Sequence, residues 1–275
     1  MTRQLTRLAL ALTLACTSSA IAASVIPPAW SNSQWSVSSW QYRTAQSSPS
    51  SVNWVTLTPS VHPTSGRALS LWSTYYHIYQ AQETTYGYPL LDRSGRALAY
   101  LSHRDWCYAA LQGTVQVQDR SGNLTTYNFA GRGSRLQLDC SAYFKSLSPA
   151  TLQKTGRVRF GLARGPHGDG AGGYRLVPYR TIAVDRQRIP LGSVVYIPAA
   201  RGQHISLPNG ETIIHDGYFF AADVGSAIKG NQIDVFVGSD KRSPFPFITS
   251  NPRGTFPAFV VQDPQINQVL SRLHR

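Results

Sequence analysis

Carboxylate chemistry in this chain falls on aspartate, because Glu83 and Glu211 are the only glutamates among 275 residues. Three aspartates stand at the ends or centres of short apolar runs: Asp185 in TIAVD, Asp223 in FFAAD and Asp234 in QIDVF. An ionised carboxylate in such a setting costs several kcal/mol unless it is paired or hydrogen-bonded, so it is kept for a function or for a specific network. Taken singly, each is equally well read as a strand-end carboxylate satisfied by backbone amides. Three together strain that reading.

Other chemistries are weaker. The paired-carboxylate proteases need two Asp-Thr/Ser-Gly loops, and only Asp223-Val224-Gly225 approaches that form. His167, Asp169, His215 and Asp216 are the residue types that hold zinc, but His215-Asp216-Gly217 reads as a turn feeding the YFFAAD run, so no metal and no cofactor is expected. No Gly-x-Ser-x-Gly elbow signals a nucleophilic serine. The glycine-rich stretch Gly165–Gly173, GPHGDGAGG, lacks the Gly-Lys-Ser/Thr ending of a phosphate loop and reads as a mobile loop bordering a groove, with Tyr174 just beyond it.

The elements that must position these residues are mostly strands. LSLWSTYYHIY, ALAYLS, GTVQVQD and LTTYNFAG precede the glycine-rich loop, and IAVD, VVYIPA, YFFAAD, IDVFVG and AFVVQD follow it. Asp-Arg-Ser-Gly occurs at Asp92–Gly95 and again at Asp119–Gly122, each where a hairpin turn falls. Only the tail, Gln265 to Arg275, has a helical pattern. Short strands at this spacing predict an all-β barrel or sandwich.

The N-terminus has the layout of a secretory leader: Arg3 and Arg7, an apolar run from Leu8 to Ala15, then Ala20-Ile21-Ala22. The run is shorter than the ~20 residues that cross a bilayer, and no later segment comes close, so an exported protein that is not integral to the membrane is expected. Cys16 has a second reading as a lipidation site, disfavoured because Thr13 stands where a lipobox prefers leucine. Removing residues 1–23 lowers the formal charge from +13 to +11 and leaves Cys107 and Cys140, which read as a disulfide or as a buried free pair. Basicity of this size suits an anionic polymer or lipid, and arginines scattered without a run argue against nucleic acid. Residues 24–60 are rich in Ser, Pro and Trp; Trp30, Trp35, Trp40 and Trp54 can stack on sugars, with packing along the body the plainer reading.

RTIAVDRQRIPLGSVVYIP followed by FFAADVGSAIKGNQIDVFVG, within Tyr179 to Gly238, resembles the 3D domain, named for three aspartates, of membrane-bound lytic transglycosylase A and of stationary-phase relatives of resuscitation-promoting factors. STYYHIY and DWCYAALQGTV also resemble segments of longer 3D-domain proteins. The resemblance implies a double-psi β-barrel with an N-terminal β-rich accessory region, divided as 61–156 accessory domain and 157–275 barrel, with a glycan groove between them. It places Asp234 at the catalytic position, Asp223 and Asp185 on its partners, and Lys229 and Gly225 beside the substrate. The usual Asp-Thr-Gly-Gly stands here as Asp223-Val224-Gly225-Ser226, which removes a hydroxyl. Trp72, Tyr75, Tyr76, Trp106 and Tyr174 are candidates to line the groove, with core packing the plainer reading for any one of the first four.

The activity implied is cleavage of the β-1,4 bond between N-acetylmuramic acid and N-acetylglucosamine in peptidoglycan, by a monomer in the periplasm or outside the cell. The non-enzymatic alternative is a wall-binding protein whose aspartates only bind glycan. An acid working at neutral pH needs a pKa above the ~3.9 of a free aspartic acid. Burial among Ile233, Val235 and Phe236, with repulsion from Asp223 and Asp185, is expected to raise that of Asp234.

Overall fold

Asp92 and Asp119 show why the first hairpins turn where they do. Each carboxylate accepts the backbone N–H groups two and four residues on, from Ser94 and Arg96 and from Ser121 and Asn123. Gly95 and Gly122 complete the turns at φ 90° and 86°, a region closed to most side chains. The repeated Asp-Arg-Ser-Gly is thus shared turn chemistry.

The computed structural model describes residues 54–58, 62–207 and 210–275; the expected leader, Cys16, Trp30, Trp35 and Trp40 lie outside them. In chain order the described elements are β1 (Arg67–Tyr76), β2 (Tyr79–Gln82), β3 (Tyr88–Leu91), β4 (Ala97–Leu101), α1 (His103–Gln112), β5 (Thr114–Gln118) and β6 (Leu124–Arg132). They continue with α2 (Pro149–Thr155), β7 (Val158–Leu162), β8 (Thr181–Val184), β9 (Val194–Tyr196), β10 (His204–Ser206), β11 (Thr212–Ile214), β12 (Tyr218–Asp223), β13 (Gln232–Phe236), β14 (Phe256–Val261) and α3 (Pro264–Leu273).

Six strands close into a barrel in the order β1-β13-β8-β12-β9-β14. β1 runs parallel to β13 and β8 to β12, and the other contacts are antiparallel. This is the expected all-β fold and double-psi barrel. Ile182, Val184, Val195, Phe219, Ala221, Ile233 and Val235 fill the interior. Every residue of β8 and β9 is buried, so these strands are covered on both faces and read as continuous apolar runs. On one outer face α3 seats Ile266 and Leu270 against Val194 and Phe220.

The accessory region is a four-stranded sheet, β2-β5-β6-β7, with the hairpin β3-β4 and α1 packed about Trp106, Leu101, Val115 and Phe160. Cys107 on α1 is bonded to Cys140, so the disulfide reading holds. Two strands cross the expected division near Arg157. β1 is a barrel stave, and β7 pairs with β6 in the accessory sheet.

The expectation that only the tail is helical is corrected by α1 and α2. Ser102 caps α1 by accepting the Asp105 N–H, and Gly113 ends it at φ 81°; Ser148 caps α2 ahead of Pro149. Another structural anchor is Arg180, fully buried, whose guanidinium pairs with Asp216, donates to the carbonyls of Val55 and Tyr218, and lies 3.7 Å from the Trp54 ring centre. Trp54 therefore packs on the barrel, and Asp216 and His215 are structural, His215 reaching the Tyr179 carbonyl at 2.9 Å.

Candidate active site

Residues paired across neighbouring strands share a face of the sheet. Thr74 of β1 pairs with Asp234 of β13, Asp234 with Ala183 of β8, and Ala183 with Asp223 of β12. Their chain neighbours Ile182, Val184, Ile233 and Val235 point into the barrel, so this row of four lies on its outer face. Strict alternation from the interior residue Ala221 would turn Asp223 inward. A register shift between Ala221 and Asp223 instead aligns Asp223 with Ala183, the re-aiming of a side chain that a bulge performs. The methyl group of Ala183 is all that separates the two carboxylates along the row.

Hydrogen bonds fix both. Thr74 Oγ1 donates to Asp234 Oδ1 at 2.6 Å and accepts from Gln232 Nε2 at 3.3 Å, which directs its single proton at the carboxylate. Tyr76 Oη donates to Asp223 Oδ2 at 2.7 Å, and the Val224 N–H to Asp223 Oδ1 at 2.8 Å. Burial pushes Asp234 up to about 7; the Thr74 bond opposes the shift and the charge of Asp223 adds to it. Burial pushes Asp223 up to about 6 against its bonds from Tyr76 and Val224. Tyr76 is itself raised well above its ordinary value, by burial and then by Asp223, and stays a donor. The two carboxyl groups interact, and both are raised toward neutrality.

Asp185 behaves differently. At the end of β8 it accepts the Gly230 N–H at 2.9 Å and the Gln187 N–H at 3.1 Å. These bonds, with smaller help from Lys229 and Arg188, hold it below the usual carboxylate range. The repulsion that raises Asp234 comes from Asp223, and the expected contribution of Asp185 is corrected. Asp185 ties the Lys229-Gly230 turn to the barrel.

The row borders a groove made of two adjoining cavities of about 700 and 420 Å³ that share Tyr76, Asp223, Gly225 and, from α1, Leu111. Ala183 and Asp234 line the smaller, and Asp185 and Lys229 the larger. The opposite wall is accessory: the end of α1, Arg132 of β6 and Thr155 of α2. Gly170 and Ala171 of the glycine-rich loop also line it.

Of the expected residues, Lys229, Gly225, Tyr75 and Tyr76 line this groove. Trp106 does not. It is wholly buried in the accessory core, its indole N–H bonded to the Pro89 carbonyl at 3.0 Å. Tyr174 packs edge-on against Phe220, beside α3, and is also outside the groove lining. Trp72 is half-buried on β1 and lines neither cavity. Sequence reasoning missed Thr74, which carried no motif of its own, and Arg132. Among the described residues no three His, Cys, Asp or Glu side chains converge to hold a metal.

Residues 180–243 match the family model of the 3D domain. No curated protein matches the chain. It is similar to the structure of Escherichia coli MltA with bound chitohexaose, at 18% identity over 70% of this chain and 72% of that one, TM-score 0.48. It is likewise similar to a membrane-bound lytic murein transglycosylase of Agrobacterium tumefaciens, at 16% identity over 74% and 76%, TM-score 0.48. A third similar structure is the lytic transglycosylase LtgG of Burkholderia pseudomallei, at 20% identity over 70% of each chain, TM-score 0.37.

Proposed function

We propose that the chain is a peptidoglycan lytic transglycosylase in which Asp234 is both general acid and general base. The observation that carries the reading is a carboxyl group on the groove wall that burial and a neighbouring charge raise to about 7, so that it exchanges its proton at neutral pH. The motif resemblance supplies the substrate.

In the first step Asp234 gives its proton to the bridging oxygen of the β-1,4 bond, the bond from C1 of N-acetylmuramic acid to that oxygen breaks, and N-acetylglucosamine leaves with a free O4 hydroxyl. In the second its carboxylate takes the proton of the C6 hydroxyl of the same sugar, whose oxygen closes on C1 as a 1,6-anhydro ring. The proton lost is regained, and no water enters. A hydrolase uses two carboxyl groups flanking the bond. Here Asp223 and Asp234 sit in one row on one face of one sheet, an arrangement that favours a single acid and base. The charge of Asp223 raises its neighbour's pKa and stands beside the developing oxocarbenium ion. Asp185 and Lys229 hold the groove end, and Gly225 lines it beside Asp223, where a Cβ would run into the Ile228 side chain. The hydroxyl lost at Val224 is offset at Asp223 by the Val224 backbone N–H and by Tyr76.

The leader-like N-terminus and the disulfide support export to the periplasm or beyond. No helix among the described residues is long and apolar enough to cross a membrane.

The test is digestion of purified peptidoglycan by wild type and Asp234→Asn, with products weighed by mass spectrometry. Anhydro-muropeptides that vanish in the variant support the reading. Reducing-end products, heavier by one water, indicate a hydrolase, and no product from folded wild type indicates a glycan-binding protein.

A further inference from the structure

Four cationic side chains border the groove. Arg132 on β6 and Lys154 on α2 stand on the accessory wall, and Arg186 and Lys229, in the turns after β8 and β12, on the barrel wall. All four residues are exposed, and none forms an ion pair among the described residues. Arg132 is set in place: its Nε donates to the Lys154 carbonyl at 3.2 Å and its guanidinium lies 4.9 Å from the Phe129 ring centre.

Four acids line the same groove, and one of them is paired with a cation. Asp169 pairs with Arg164 at 3.2 Å. Asp185 accepts two backbone N–H groups. Asp223 accepts from Tyr76 and Val224, and Asp234 accepts from Thr74. The lining therefore carries four unpaired cations against three unpaired carboxylates, with Arg132 and Lys154 standing on the accessory wall away from the row of aspartates, and a field of one sign in a cleft concentrates ligands of the other.

We infer that Arg132, Lys154, Arg186 and Lys229 select glycan strands bearing carboxylates over neutral strands of the same length. The inference rests on the glycan reading above and adds what part of the polymer is recognised. Carboxylates on such a strand come from the lactyl ether of N-acetylmuramic acid or from its peptide stems, and both present the same chemistry to a guanidinium or ammonium group. Each exposed pair contributes a factor of roughly 1.5–5 in affinity, so two engaged pairs give about tenfold.

The test uses the full chain as Asp234→Asn, which holds ligand without turning it over. Its affinity is measured by calorimetry for a neutral N-acetylglucosamine hexasaccharide, for a peptide-free muramyl glycan hexasaccharide, and for the same glycan carrying stems. The expected result is about tenfold tighter binding of the carboxylate-bearing strands at low salt, collapsing at high salt and when Arg132→Gln and Arg186→Gln are added. Preference already present in the peptide-free glycan identifies the lactyl group, and preference seen only with stems identifies the peptide. Equal affinity for all three ligands, or a preference that survives the double substitution in a protein with unchanged melting, overturns the inference. These outcomes are independent of turnover. Anhydro product with equal affinities sinks only the charge selection, and selective binding without product by wild type sinks only the enzyme.

Discussion

Replacing Thr74 by valine keeps the shape of the side chain and removes one hydroxyl from the Asp234 carboxyl. The magnitude follows from the geometry. Gln232 Nε2 donates into Thr74 Oγ1, so the hydroxyl sends its proton to Asp234 Oδ1 at 2.6 Å and favours the carboxylate. A hydrogen bond to an ionised acceptor contributes about 1.5–3 kcal/mol net, and each pKa unit corresponds to ~1.36 kcal/mol. Losing the bond therefore raises Asp234 by roughly one to two units, from about 7. The acid form that starts the reaction then persists to higher pH. The assay is the release of anhydro-muropeptides followed from about pH 5 to pH 10. The limb that reports Asp234 moves up by that amount in Thr74→Val and returns in Thr74→Ser. A limb that stays in place, with activity reduced equally at every pH, refutes the reasoning and makes Thr74 a packing residue.

Asp223→Asn removes the charge that raises Asp234, so the same limb moves down in pH, and an upward move contradicts the assigned repulsion. Asp234 has a folded pKa raised above its unfolded value, so the folded state binds its proton more tightly. The associated stability is complete below ~pH 4 and is lost as pH rises towards about 7. Asp234→Asn escapes that loss, and urea denaturation at pH 8 should find it more stable than wild type by roughly 2–4 kcal/mol relative to the difference at pH 4. Arg180→Met leaves Asp216 buried without its cation. It should cost about 3–5 kcal/mol by the same measurement, whereas an effect under ~1 kcal/mol would show that the pair is dispensable.

The strands of this protein are written locally. Runs such as FFAAD and VVYIP owe their extended form to β-branched and aromatic residues, and the two Asp-Arg-Ser-Gly segments to carboxylates that bond their own backbone. The isolated carboxylates Asp223 and Asp234 were visible for the same reason, since a charge inside an apolar run stands out without knowledge of its neighbours. Helix α1 also carried a local signal, the Ser102 cap and Gly113 stop. Its buried face of Trp106, Cys107, Ala109 and Ala110 sits among strand-like segments, where no helix is expected from the sequence pattern and Trp106 is offered for the groove.

Only the tertiary structure decided which aspartates lie together. Thr74 meets Asp234 across 160 residues of chain, and Tyr76 meets Asp223 across 147, because closing the barrel buries the interior faces of β1, β13, β8 and β12 and thereby imposes their register. The shift at Ala221 and Asp223, which no residue type announces, then turns Asp223 outward to join the row, while Asp185, one step past β8, is claimed by the backbone of the Gly230 turn. Residue chemistry is local and can be read along the chain. Register and pKa depend on what burial brings alongside, and distant strands settle that only when they pair.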